Sequence, residues 1–164
     1  MRAAILTISD RGARGEREDL SGPALAKWVM EHGVEVAAAH LVADEIPEIA
    51  QAICNWADGK GVDVILTTGG TGVSPRDVTP EATVQVLDRL IPGLGEAMRA
   101  ASLRKTILGA LSRGLCGVRR QTLILNLPGS PKAAIENLEA IWEAVPHAVA
   151  KIQGDPSDCV PLER

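Results

Sequence analysis

The sequence predicts an α/β domain built on a mostly parallel, doubly wound sheet, and three observations carry that expectation. Short runs of aliphatic and β-branched residues are apolar almost throughout, which suits parallel strands covered on both faces. Segments with helical apolar spacing separate these runs, and this alternation is the pattern of doubly wound sheets. Polar, glycine-rich segments follow the strand-like runs, where such sheets bind their ligands.

Taken in order, residues 3–8 read as the first buried strand, 34–41 as the second and 62–67 as the third. Between the first two, Ser21 is a plausible N-cap, Pro23 fits the first helical turn, and Leu25, Trp28 and Val29 share one face. The next helix carries Ile46, Ile49, Ile53 and Trp56, again on one face. A polar loop then runs from Thr68 to Pro80, and a helix follows with Thr79 as its cap and Glu81 near its positive end. The Pro92-Gly93 break predicts a further helix over 94–104. Two strands, 115–118 and 121–127, flank a tight turn at Arg119-Arg120. The last helix starts at Ser130-Pro131 and runs along Ile135, Leu138, Trp142, Val145, Val149 and Ile152, with Pro146 kinking or dividing it. Residues 1–154 thus form one domain, and 155–164, with Pro156 and Pro161, are expected to be an extended, loose tail.

Composition narrows the function. With 164 residues, 46% hydrophobic and 23% charged, the chain can bury a core without disulfides or a structural metal. Seventeen basic residues against 21 acidic ones, a net charge of −4, offer no basic stripe for a nucleic-acid backbone. Three Trp with no Phe or Tyr make a base-stacking platform improbable. No run reaches the roughly 18 apolar residues of a membrane span. The start of the chain is too short for a signal peptide, so a cytoplasmic protein is expected. Cys54, Cys116 and Cys159, like His32, His40 and His147, are scattered without zinc-ligand spacing, and the cysteines read as reduced, mostly inert thiols.

Four segments fall at strand ends and should gather on one edge of the sheet. They are Ser9-Asp10-Arg11-Gly12 continuing to Asp19-Leu20-Ser21-Gly22, Val42-Ala43-Asp44-Glu45, the stretch from Thr67 to Pro80, and Asn126 through Lys132. In the third, Gly69, Gly70 and Gly72 leave backbone N–H groups uncovered, and Thr68 and Thr71 add hydroxyls. This pattern is neither a Walker A loop nor a dinucleotide fingerprint; it suits an anion cradle, or a tight turn. Gly129 and Ser130 stand at a helix N-terminus with Lys132 beside them, which suits an anion site or plain capping. Asp44 and Asp77 follow neighbouring strands. Two carboxylates beside a phosphate loop fit Mg²⁺, though a helix start and a pairing with Arg76 would explain them too. Ser102 and Ser112 read only as exposed helix or turn positions, and no Ser–His–Asp or Cys–His arrangement emerges.

At these loops the sequence resembles the MogA/MoaB-type molybdopterin adenylyltransferases, which include the G domain of gephyrin and its plant counterpart. The resemblance spans about residues 3–152. It is strongest in Thr67-Thr68-Gly69-Gly70-Thr71-Gly72 followed by Arg76-Asp77-Val78-Thr79-Pro80-Glu81-Ala82. Ile124 through Lys132, with Leu127-Pro128-Gly129-Ser130-Pro131 at its centre, is a second signature, and Ser9-Asp10 with Asp19 and Ser21-Gly22-Pro23 a third. Gly117-Val118-Arg119 is similar to the bacterial MogA branch. The resemblance implies a three-layer α/β/α sandwich that forms homotrimers. It also implies an activity: transfer of AMP from Mg-ATP to the terminal phosphate of molybdopterin, with pyrophosphate released and the product passed on to metal insertion. By motif, the family's catalytic, metal-facing aspartates fall on Asp44 and Asp77. Ligand-binding positions fall on Ser9, Asp10, Thr68, Gly69, Gly70, Thr71, Gly72, Pro128, Gly129, Ser130 and Lys132, with weaker matches at Ser102 and Ser112. The resemblance further suggests a downstream metal-insertion protein as partner. Two other readings compete, a pterin-binding module without chemistry and a trimeric scaffold. The pair Asp44 and Asp77 argues against the first, and the single-domain length against the second.

Overall fold

The computed structural model describes residues 1–59 and 61–157. Its six strands are β1 (Arg2–Ile8), β2 (Glu35–Val42), β3 (Val64–Thr68), β4 (Arg89–Leu90), β5 (Cys116–Arg119) and β6 (Thr122–Leu127). They form one sheet in the order β2-β1-β3-β6-β5-β4. The four on the β2 side run parallel, and β5 alone is reversed, antiparallel to both its neighbours. The doubly wound, mostly parallel sheet expected from the apolar runs is therefore present.

Helices cover both faces, and the side-chain alternation of the strands sorts them. Ala3, Ile5, Val64, Leu66, Leu123 and Leu125 face one way, where they pack with Leu25 and Val29 of α2 (Ser21–Glu31), Met98 of α5 (Pro92–Leu103), Leu138 of α6 (Pro131–Ile141) and Val149 of α7 (Val145–Ile152). Ala4, Leu6, Ile65 and Ile124 face the other way, against Ile49 and Ile53 of α3 (Ile46–Asp58) and Ala82 of α4 (Thr79–Val84). One residue of register thus separates two cores, and the result is the three-layer α/β/α sandwich.

Several elements depart from the expected boundaries. Residues after β1 form a one-turn helix, α1 (Asp10–Ala13), in place of a loop, with Ser9 as its cap accepting from the Gly12 amide. Ser21 lies inside α2, and Asp19 does the capping, because its carboxylate accepts from the Ser21 and Gly22 amides at 3.0 and 2.9 Å. Thr79 is likewise the first residue of its helix, with Val78 at the cap position. The short β4 and a 3₁₀ turn at Ile107–Leu111, whose Ile107, Leu108 and Leu111 are apolar but exposed, were not expected. The last helix is divided, as Pro146 foretold. The break is a 3₁₀ turn at Trp142–Ala144, one turn before the proline, where the ring would otherwise meet the Trp142 carbonyl. Residues 155–157 fold back onto Lys151, whose ammonium reaches the Asp155 carbonyl at 3.2 Å, instead of running free. The rest of the expected tail, with Cys159 and Pro161, lies outside the described residues. Cys54 and Cys116 are free, and burial pushes the Cys116 thiol up to about 12, so it stays protonated and inert.

Candidate active site

Strand order reverses beside β1, because the chain moves from β1 outward to β2 and then returns to the other side of β1 for β3. The loops after β1 and β3 consequently part at their carboxyl ends and open a crevice. A cleft of about 350 Å³ occupies this point, lined by Ser9, Asp44, Gly69, Gly70, Asp77 and Ser130 among others.

Its floor is glycine backbone. Gly69 and Gly70 both have positive φ, 104° and 61°, which side-chain-bearing residues rarely adopt. Close packing adds to the constraint. A Cβ on Gly69 would stand 2.2 Å from the Ile8 carbonyl oxygen, and one on Gly70 2.3 Å from Thr79 Oγ1. Thr79 ties the turn from behind, donating from its hydroxyl to the Gly69 carbonyl (2.8 Å) and from its amide to the Gly70 carbonyl (3.0 Å). The Leu-Pro-Gly-Ser-Pro segment closes in from β6. Thr68 Oγ1 donates to the Pro128 carbonyl at 2.7 Å, and a Cβ on Gly129 would meet Gly69 Cα at 3.2 Å. Ser130 caps α6 without a side-chain capping bond, so among the described residues its hydroxyl has no partner and can meet a ligand at the helix N-terminus.

Carboxylates ring this floor, and their partners differentiate them. Asp10 and Asp44 interlock: the Asp10 amide donates to Asp44 Oδ2 (2.8 Å) and the Asp44 amide to Asp10 Oδ1 (3.1 Å). Arg76 grips Asp10 with two bonds of 2.9 Å and also reaches Glu45 at 2.8 Å. The Arg76 hydrogen bonds hold the Asp10 carboxyl below the ordinary range. Asp19 is spent on Thr7, whose hydroxyl donates at 2.7 Å, and on the start of α2. Asp44 and Asp77 differ. Asp44 is buried, and desolvation raises its pKa, with the charges of Asp10 and Asp77 adding to the rise. Its Oδ1 has no donor among the described residues and would lie 2.9 Å from a Cβ on Gly70. Asp77 accepts the Ser74 amide on Oδ2 (2.8 Å), and its Oδ1 has no donor among the described residues.

Among the described residues no group of three or more His, Cys, Asp or Glu is arranged to hold a metal ion alone. Two carboxylates with uncommitted oxygens, one of them destabilised by its neighbours' charge, do fit Mg²⁺, which takes one or two carboxylates and completes its shell with water and substrate phosphate.

The site residues expected from sequence divide into three groups. Ser9, Asp44, Thr68, Gly69, Gly70, Asp77, Gly129 and Ser130 line the cleft together. Asp10, Gly72 and Pro128 stand behind them, against Asp44, Asp77 and Thr68 in turn, and the buried Thr71 gives its carbonyl to the Arg113 amide. Lys132 does not reach the cleft; its side chain is 86% exposed and 4.0 Å from Glu136. Ser102 faces α6, where Asn137 donates to its hydroxyl at 2.9 Å, and Ser112 ends the 3₁₀ turn. Neither serine lines the cleft. Arg17 and Glu18 line it without any signal in the sequence, and Arg113, behind the glycine loop, was missed altogether.

A fold with a phosphate-type cradle at its switch point defines a class of anion-binding α/β domains, and comparison with known proteins makes it particular. Residues 4–147 match the family described as probable molybdopterin binding domain, and the chain belongs to it. A molybdopterin adenylyltransferase of Helicobacter pylori (strain J99) is 42% identical over 153 residues, covering 92% of this chain and 87% of that protein. The molybdopterin adenylyltransferase of Escherichia coli K12 is also 42% identical, over 88% of this chain and 75% of its own. Among solved structures, a molybdopterin biosynthesis enzyme MoaB from Thermus thermophilus superposes with a TM-score of 0.88 at 54% identity, covering 96% and 99% of the two chains.

Proposed function

We propose that this chain is a molybdopterin adenylyltransferase of molybdenum cofactor biosynthesis, joining AMP from ATP to the terminal phosphate of molybdopterin. The observation that carries this reading is the meeting of Asp44 and Asp77, each with an uncommitted oxygen, on either side of the glycine floor. Relatives bearing that name align with most of the chain. An oxygen of the pterin phosphate attacks the α-phosphorus of ATP, a new P–O–P link forms, the bond to the β-phosphate oxygen breaks, and pyrophosphate leaves.

The residues suit this chemistry by holding and neutralising. The Gly70 amide and the amides at the start of α6 offer fixed dipoles to phosphate oxygens, whereas the Gly69 amide is taken by the Leu127 carbonyl at 3.3 Å. Ser9 and Ser130 add hydroxyls, while Thr68 spends its own on the Pro128 carbonyl and so holds the two loops together. Asp44 and Asp77 would hold Mg²⁺, which when bound offsets the charge that ATP and the pterin phosphate bring together. No covalent nucleophile is needed. In keeping with the family resemblance we assign the working unit as a homotrimer in the cytoplasm that passes its product to a metal-insertion protein. Among the described residues no helix is long and apolar enough to cross a membrane.

Pyrophosphate release tests the reading. It should require ATP, Mg²⁺ and molybdopterin together, with adenylated pterin formed in equal amount. Molybdopterin binding without pyrophosphate release would make the chain a binding module instead.

A further inference from the structure

We propose that Arg113 is the positioning residue of this site: its guanidinium fork fixes the glycine-rich loop and Asp77 in working register. The inference rests on the adenylyltransferase reading for its kinetic arm alone. The loop from Thr71 to Val78 lies outside regular structure, so its carbonyls need partners from elsewhere. Arg113 supplies three of them. Its backbone amide donates to the Thr71 carbonyl (2.9 Å), Nε to the Gly72 carbonyl (2.6 Å) and Nη2 to the Asp77 carbonyl (2.5 Å). The remaining arm, Nη1, pairs with Glu81 on α4. One side chain therefore pins both ends of the loop and anchors them to a helix.

The consequence reaches the cleft through Gly72 and Asp77. A Cβ on Gly72 would stand 2.8 Å from Asp77 Oδ2, so the loop backbone and this carboxylate share one position. Asp77 faces the cleft on one side and, on the other, a shallow recess also lined by Glu81 and Arg113. Arg113 acts from that recess and lines no part of the cleft. Its geometry is what matters. A planar fork can serve two carbonyls and a carboxylate at once, whereas a lysine ammonium is a single point of charge. Glu81 holds the fork in place, and Arg113 in turn keeps the Glu81 carboxyl below its usual range.

Three variants test this: Arg113→Lys, Arg113→Gln and Glu81→Gln. Two readouts are taken, turnover against molybdopterin affinity, and Mn²⁺ binding in the presence of ATP followed by electron paramagnetic resonance. Arg113→Lys should lose roughly 10- to 100-fold in kcat and in Mn²⁺ affinity, the scale for partners that orient a metal ligand. Molybdopterin affinity should stay within about twofold. Arg113→Gln should match it, and Glu81→Gln should move both readouts in the same direction by less. If Arg113→Lys restores wild-type turnover and Mn²⁺ affinity, the fork is irrelevant and the proposal fails. It fails equally if every variant lowers only the unfolding temperature. Should the wild-type protein release no pyrophosphate, the functional reading falls, and the positioning inference is then decided by the Mn²⁺ titration.

Discussion

Replacing Gly70 by alanine puts a methyl group at the most crowded point of the cleft floor, and the structure sets the cost. At φ 61° an L-residue pays about 1–2 kcal/mol for the left-handed conformation. The new Cβ also falls 2.3 Å from Thr79 Oγ1, which must move away. Thr79 is buried, and its hydroxyl satisfies the Gly69 carbonyl at 2.8 Å. Losing that bond in a buried setting costs about 1–3 kcal/mol. The whole penalty is about 2–5 kcal/mol, less than the roughly 5–15 kcal/mol that holds a typical domain together. The variant should therefore fold, with a clearly lower urea midpoint. Because the same methyl falls 2.9 Å from Asp44 Oδ1, adenylyl transfer should drop by about a hundredfold, the scale for one misplaced electrostatic contact. Gly72→Ala is the control. Gly72 has no positive φ, and its added methyl meets only the Asp77 carboxylate, so activity should fall with less than about 1 kcal/mol of stability lost. A Gly70→Ala protein with wild-type urea midpoint and turnover would refute the packing argument.

Other expectations follow from the same geometry. Asp77→Asn keeps an acceptor for the Ser74 amide, so the fold should persist while turnover falls about a hundredfold; calorimetry should find molybdopterin binding intact, and full activity at saturating Mg²⁺ would exclude a metal-facing role. Asp44 has its pKa raised in the folded state, so its ionised form destabilises the protein above that pKa and the penalty disappears as protonation sets in at lower pH. Asp44→Asn should thus raise the unfolding temperature at pH 7, gain nothing in acid, and abolish transfer; a lowered temperature at pH 7 would contradict the burial argument. Asp10 titrates in the opposite sense, held low by Arg76, so Arg76→Ala should remove stability at neutral pH that vanishes in acid, measured as converging unfolding curves. Light scattering at micromolar concentration should give three chain masses, consistent with the exposed Leu103, Ile107, Leu108 and Leu111 needing cover; a single chain's mass would count against the trimer.

How far the sequence could be read followed from where the physics is local. β1, β3 and β6 are buried on both faces, and their continuous apolar runs announce them. β4 is two exposed residues, Arg89 and Leu90, and exists only because β5 is there to pair with it. The one-turn helix at Asp10 contains Gly12 and no buried residue, so no periodicity could mark it. In the site, the glycines were legible because positive φ and close approach demand them. Arg113 was not legible: it stands 36 positions from Asp77, and nothing around Leu111 or Gly114 distinguishes it from a surface arginine. Ser102 and Ser112 came forward on resemblance alone, and their hydroxyls are occupied with other parts of the fold or stand away from the cleft.

The acidic balance of the chain looks unsuited to two polyanionic substrates until the carboxylates are sorted by what they touch. Asp19 has both oxygens committed, to the Thr7 hydroxyl and to the first amides of α2, so its charge is absorbed by the fold. Asp10 is offset by the Arg76 fork, which Glu45 shares. Glu81 is paired with Arg113. Asp44 and Asp77 remain, each holding one backbone amide and presenting one oxygen with no protein donor among the described residues. Their mutual repulsion, together with the burial of Asp44, is a cost that folding alone would not retain. A divalent cation placed against both would remove that cost and turn the same two charges into an attachment point for phosphate. Apart from Glu18, which lines the cleft but is exposed to solvent, the cleft's acidity thus reduces to one uncompensated pair, set beside backbone amides that bind anions through fixed dipoles and carry no net charge of their own.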